Sequence, residues 1–505
     1  MDCEGITKSI GIIFSKTQEL GQIDDPLVLL AKQEEIEGVI DLVEREIACD
    51  YRFLEVVKQE IVLDRLAEIY GDSFQSGELD LGLFYLDVED YLDGIMADEQ
   101  ANLTSNRYKR FLDNLLAEDL SAKLAELSKL YTPFGHLLGE DFVVNALRVL
   151  NSYLINRFHQ KGKVIDISDV ELPDELTDYL GMFLNGAHVK AGKLKSNAGA
   201  YMRSGIFEIE SGSVSAGSHM EDGLLAIRLA DDYLGEGMKG GKIKCFSAQS
   251  HAGANMSGGE IDLQHARNML GWEMDGGKIK VDYCHDFMGM DMQGGAIVAR
   301  IAGNNVGQDM KGGSIYCQNA EDSCASGAEG GSLAIGGLAD STTTPIGFMA
   351  TELSTILSLN RNAEFDTTCR SKSYVYTDHG PARAAEADIR GIASHLLIQS
   401  EEELESFKVG DSGLKVVDTN APWLSDDGPM MLGAIKGILV WRGMPKTEIG
   451  IDGGILIIDA PETDPKEVRR MIADKDNRKP GQGLILMRIS DRNGGFKLID
   501  LEEEN

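Results

Sequence analysis

Five residues in a short span carry side chains that could do chemistry: His251, His265, Cys284, His285 and Asp286. Imidazole, thiolate and carboxylate together make either a ligand set for a metal such as zinc or a nucleophile with its general base. A solvated polar edge is the simpler reading of the same residues, and no metal is expected here. Two further patterns lose their chemistry on inspection. Gly235-Glu-Gly237-Met-Lys-Gly240 is a literal Gly-x-Gly-x-x-Gly, but no helical pattern follows it to receive a pyrophosphate, and it recurs down the chain. Seven methionines stand at a constant spacing that could suggest soft metal ligands; an inward ladder of Met is packing instead. Cys245 and Cys317 share another such column and read as core. There is no Gly-x-Ser-x-Gly, Walker loop or Cys-x-x-Cys, so nothing supplies a phosphate cradle or a thiolate set. No flavin, nicotinamide or iron–sulfur centre is therefore expected.

What must position the five residues is a repeat. With Gly235 as position zero, Gly235-x-x-Met238-x-Gly240-Gly241-x-Ile243 returns every 18 residues. The copies are Gly253, Met256, Gly259 and Ile261; Gly271, Met274, Gly277 and Ile279; Gly289, Met292, Gly295 and Ile297; and Gly307, Met310, Gly313 and Ile315. Gly181, Gly199 and Gly217 begin upstream copies, and Ala325 replaces the glycine in the last, so nine units fill 181–342. Apolar or small residues occupy positions three, eight, ten and seventeen. The five candidate residues lie between positions twelve and sixteen of three successive units, so stacking would bring them to one edge. Met274, in a column, should not accept a carboxylate without a loss of several kcal/mol. Lys278, between columns, reads as solvent-facing, where a charge reversal should cost under about 1 kcal/mol.

Eighteen residues are too few for a helical-hairpin repeat, and the glycines would weaken a helix by about 1 kcal/mol each. Alternation in Gly277-Lys-Ile279-Lys-Val281 places two apolar side chains on one face of a strand. Coils stacked about 4.8 Å apart make a parallel β-helix, with glycine supplying the sharp turns. The left-handed hexapeptide form fails, because the columns do not fall at multiples of six.

At these residues the chain resembles the domain named for its Gly-x-Gly-x-Gly (GXGXG) motif, which forms the C-terminal part of glutamate synthase large subunits and most of one subunit of formylmethanofuran dehydrogenases. The resemblance covers 181–342 and is strongest from Gly235 to Ile315. It implies a right-handed parallel β-helix without catalytic residues, holding neighbouring catalytic domains or subunits of an oxidoreductase together. Nothing in the chain resembles the flavin barrel or iron–sulfur cysteine cluster of glutamate synthase.

The flanks differ from the repeat. Residues 1–180 hold 16 basic and 37 acidic residues, a net of −21, with helical apolar spacing in Ile36, Ile40, Val43 and Ile47; an acidic all-α domain is expected there. Residues 343–505 mix helical patterns near 349–359, 383–398 and 464–475 with strand-like runs at Leu414–Val417, Ile438–Trp441, Ile455–Ile458 and Leu484–Ile489. Gly495–Ile499 follows a hairpin turn at Arg492-Asn-Gly494, and Glu401, Glu402, Glu403 and Glu405 read as a helix start. The expectation is a small α+β domain. The full chain of 505 residues has a formal net charge of −35, which disfavours nucleic acid and anionic membrane surfaces. Seven cysteines without close pairing fit a reduced, cytoplasmic chain. The expected function is a non-catalytic scaffold for protein partner subunits of a redox complex. The alternative is a hydrolase or transferase with its site in the C-terminal domain or on the His251/His285 edge.

Overall fold

The computed structural model describes residues 155–501, apart from the stretches 170–176, 339–345, 359–364, 384–395, 425–429, 473–482, 491–495 and a few shorter ones. The expected helical domain falls almost wholly outside the described residues, as do the helix expected within 383–398 and the turn at 492–494. Among the described residues, no helix is long and apolar enough to cross a membrane. The chain divides into two compact units, 1–180 and 181–505. The described part of the first contains one short strand, β1 (Val164–Ile167), which buries Ile165 and Ile167.

The second unit is a parallel β-solenoid carrying a small α/β layer. Each 18-residue unit contributes one bent strand: β2 (His188–Ser196), β3 (Ile206–Val214), β4 (Leu224–Asp232), β5 (Lys242–Ser250), β6 (Ser257–Asn268), β7 (Gly276–Asp286), β8 (Ala296–Asn304), β9 (Ser314–Asp322) and β10 (Ser332–Leu338). Each pairs in parallel with the next, and partners are 18 residues apart, as Ile243↔Ile261 and Ile261↔Ile279. The ladder does not end at 342. β11 (Thr355–Ser358) and β12 (Lys372–Thr377) continue it in parallel, and β13 (Gly380–Arg383) turns back antiparallel on β12. The described residues of the expected helix 349–359 are not helical: the chain turns at Met349 and forms β11 over Thr355–Ser358. Gly347 and Met349 repeat the left-handed corner of the earlier coils (φ 80° and 55°), and an insertion before them hides the coil from a constant 18-residue step.

The columns point inward. Met202, Met220, Met238, Met256, Met274, Met292 and Met310 are buried, as are the eighth-position residues and Cys245 and Cys317 of the tenth. Each Met reaches the next coil: Met238 Cε lies 2.5 Å from where a Cβ on Gly259 would stand. A straight, unbranched side chain thus fills the notch that glycine leaves. A further inward column at position thirteen is made of small residues, among them Ala230, Ala248, Ala266, Cys284, Ala302 and Ala320.

One corner of each coil holds three left-handed residues, such as His251, Gly253 and Asn255 (φ 55°, 70° and 53°). Two of them are not glycine, although the conformation costs an L-residue about 1–2 kcal/mol. Ladder bonds hold them there: His251 N–H donates to Asn268 O in the following coil, Gly253 N–H to Leu234 O in the preceding one, and Asn255 N–H to Trp272 O in the following one. Gly253 is glycine for want of space, since a Cβ there would meet Ile279 Cδ1 at 2.5 Å.

After the solenoid come α1 (Glu401–Gly410), acidic in its first turn, and a five-stranded sheet. Its strands are β14 (Leu414–Asp418), β16 (Ala434–Arg442), β18 (Gly453–Asp459), β19 (Leu484–Ser490) and β20 (Phe496–Asp500), side by side in that order. A short pair, β15 (Met430–Met431) and β17 (Ile449–Gly450), lies apart from it. The first three pairings are parallel and β19–β20 is antiparallel. α2 (Pro465–Arg470) lies between β18 and β19, and its N-cap Asp464 accepts from Lys466 N–H at 2.9 Å. Both faces of the sheet are buried, which explains its near-continuous aliphatic runs. One face packs Leu439, Trp441, Leu456 and Ile458 with Leu404 and Phe407 of α1 and Val468 of α2. The other packs Val416, Val440, Ile457 and Leu486 against the solenoid.

Candidate functional site

The outward side chains at positions seven and nine of each coil form a flat face along the solenoid, and its character changes part-way. In β2, β3, β5, β6 and β7 position nine is charged: Lys190, Glu208, Lys244, Asp262 and Lys280. From β8 onward the same column reads Val298, Tyr316 and Ala334, continued in register by Leu357 and Tyr374, and all five are buried beneath the C-terminal sheet. Two polar contacts accompany that apolar layer. Lys278 Nζ donates to Asp500 Oδ2 at 2.7 Å, with both side chains buried. Tyr316 Oη donates to Leu498 O at 2.8 Å, and burial pushes the phenol well above its usual pKa.

Lys278 is thus the opposite of the solvent-facing residue that its place between columns implies. Period alone could not show this, because the residue does point away from the solenoid core; a second layer covers it there.

Over β2–β6 the same face is partly open and closed on itself by ion pairs. His188 Nε2 and Lys190 Nζ meet Glu208 at 2.5 and 3.2 Å, and Lys242 and Lys280 meet Glu260 at 3.1 and 3.3 Å. Burial pulls the Glu260 carboxyl upward in pKa, but the Lys280 and Lys242 ammonium groups outweigh it and hold the group below its ordinary value.

Of the five chemistry-bearing residues, His251, His265, His285 and Asp286 are at least partly exposed and Cys284 is not, so the structure separates them. Cys284 faces the core, fully buried, and burial lifts its thiol to about 12; it is therefore not at the polar edge with its neighbours. His251 sits at the left-handed corner, stacked on Tyr233 with ring centroids 4.5 Å apart and edge-on to Trp272 at 5.5 Å, while Ser250 Oγ meets its Nδ1 at 2.7 Å. His265, Tyr283 and His285 are joined by ring contacts of 6.4 Å each, and Phe246 flanks His265 at 5.3 Å. His285 is the best oriented: its Nδ1 lies 2.6 Å from Asp286 Oδ2, and Asp286 Oδ1 accepts from Asn304 Nδ2 at 2.9 Å. An exposed imidazole held by a carboxylate can shuttle a proton, but among the described residues no exposed thiol stands beside it. Among the described residues, no group of three His, Cys, Asp or Glu side chains could hold a metal ion.

No family model matches the chain, and neither a curated protein nor a solved structure matches it.

The residues that sequence reasoning missed are those of the covered face. Their signal was present: the ninth column turns from Asp262 and Lys280 to Val298, Tyr316 and Ala334. Outward apolar residues in a solenoid mark a surface that something must cover.

Proposed function

We propose that the chain is a cytoplasmic, non-catalytic scaffold whose β-helix docks partner subunits, within a redox assembly of the kind that GXGXG domains serve. One observation carries the reading. The face made by positions seven and nine already holds a folded, mostly parallel sheet through a continuous apolar layer, and the same face runs on over β2–β6 with the same period. A solenoid with every inner strand paired on both sides presents such a face rigidly, so little ordering cost opposes docking. Right-handed winding and an acidic helical 1–180 domain belong to this proposal, as does the oxidoreductase partner, which rests on the resemblance. The five described cysteines are free thiols, which fits a reducing compartment. A stand-alone hydrolase or transferase on the His251/His285 edge is less well supported, because Cys284 faces the core there.

Cross-linking in the native cell followed by mass spectrometry tests the proposal. The expected result is stoichiometric recovery of flavin- or molybdenum-type redox subunits, joined through Lys190, Lys242 or Lys244 of the open face. Substrate turnover by the isolated chain, or cross-links that avoid that face, would overturn it.

A further inference from the structure

The sheet and the solenoid have nearly the same lattice. Strands in a sheet and coils in a β-solenoid are both spaced about 4.8 Å apart. They pack in step: β18 lies against β9, β16 against β10, and Gly413, just before β14, against Lys372 and Tyr374 of β12. The contact layer is aliphatic on the sheet side, with Val416, Val440, Ile457 and Leu486, and apolar on the solenoid side, with Val298, Tyr316, Ala334, Leu357 and Tyr374 one per coil. Matched spacing by itself does not set a register. A slide by one coil toward β10 keeps apolar side chains of this column beneath the sheet, as a slipped strand does in a weakly specified sheet, whereas a slide toward β6 brings the charged Lys280 of β7 under it.

We propose that Lys278 and Tyr316 are the lock that selects one register. They stand in β7 and β9, the coils on either side of β8, and both grip β20: Lys278 through Asp500 and Tyr316 through the carbonyl of Leu498. Neither neighbouring register offers the same partners. One coil toward β6, Asp500 would face Glu260 and the Leu498 carbonyl would face Val298; one coil toward β10, they would face Ala296 and Ala334. The first opposes two carboxylates. The second buries a carboxylate against a methyl group. Both leave a charge without compensation, whereas the apolar contacts oppose only the shift toward β6, where Lys280 replaces Val298. A buried ion pair adds little net stability over an apolar pair, and setting register is its best-attested use.

The test is a distance measurement by double electron–electron resonance between spin labels on Lys195→Cys in β2 and Glu402→Cys in α1, with Cys3, Cys49 and Cys369 replaced by Ser. Both labelled sites are exposed. The parent should give one distance. Lys278→Met/Tyr316→Phe/Asp500→Leu removes the lock without leaving a charge; it should melt near the parent temperature but show a second population displaced by up to about 5 Å. Lys278→Ala/Ala296→Lys/Tyr316→Phe carries the ammonium one coil onward and should lengthen the single distance by a similar amount. A single, unshifted distance in either folded variant overturns the proposal and assigns register to the shapes of the apolar side chains.

Discussion

Gly259→Ala probes the Met–Gly contact on which the solenoid core depends. The residue has φ 81°, so an alanine there costs about 1–2 kcal/mol from backbone conformation alone. Its Cβ would stand 2.5 Å from Met238 Cε and 2.8 Å from Gly240 O. The Met tip can swing aside, but the carbonyl belongs to the coil below and cannot. Overpacking of this kind adds about 1–3 kcal/mol, for a total of about 2–5. Met238→Ala, at a fully buried position, should cost about 2–5 kcal/mol by leaving a cavity. In the double variant the new methyl group occupies space that Met238 vacated, so the two losses should fall short of their sum by about 1 kcal/mol or more. Urea unfolding followed by far-UV circular dichroism, with the slope compared across all four proteins, gives these values. Losses that add within about 0.5 kcal/mol, or a Gly259→Ala variant as stable as the parent, would refute the claim that Met fills the glycine notch.

Three other outcomes are expected. Because the folded carboxyl of Glu260 is held below its ordinary value of 4.5, its stabilisation is present above pH 4.5 and is lost as the pH falls through the lower folded value; Glu260→Gln should therefore show a smaller fall in melting temperature between pH 5 and pH 3 than the parent, and an equal fall would refute the pairing. Among the described cysteines, Cys369 is partly exposed while Cys245, Cys284, Cys317 and Cys324 are buried, with burial lifting Cys245 to about 11 and Cys324 to about 12. In native protein at pH 8, iodoacetamide should label Cys369 and leave those four untouched until denaturant is added, as read by peptide mass spectrometry. Deleting 235–252, one whole unit, joins coils that the C-terminal sheet does not cover among the described residues and should leave a cooperative melt; deleting 271–279 breaks the column register, and deleting 271–288 removes Lys278, which pairs with Asp500, so both should melt lower than the 235–252 variant.

The solenoid itself was legible in the chain. A constant step of 18 residues in Met, Gly and Ile dictates which side chains can stack, and stacking at strand spacing leaves one kind of fold that satisfies the backbone. The same local logic found β14, β16, β18, β19, β20, α1 and α2, whose apolar runs and acidic helix start are read over short windows. It failed at 349–359, where an insertion broke the step and a buried strand looked helical. The candidate site fared less well. His285 and Asp286 do meet, because they are adjacent; Cys284 does not join them, because the strict alternation of β7 breaks after Val281 and the inward column resumes at position thirteen, which Cys284 shares with Ala266 and Ala302.

The period, and with it the side of each strand that faces the solenoid core, was carried by the order of the amino acids alone. What covers the opposite side was a matter for the folded chain. The contacts Lys278–Asp500 and Tyr316–Leu498 join residues 222 and 182 positions apart, and no repeat or local pattern links them. Lys278 and Lys242 occupy the same seventh position in coils of the same motif, yet one is buried and the other partly exposed. The difference is imposed by a sheet folded from the end of the chain, and burial depends on the whole set of atoms around a residue rather than on its own stretch of sequence.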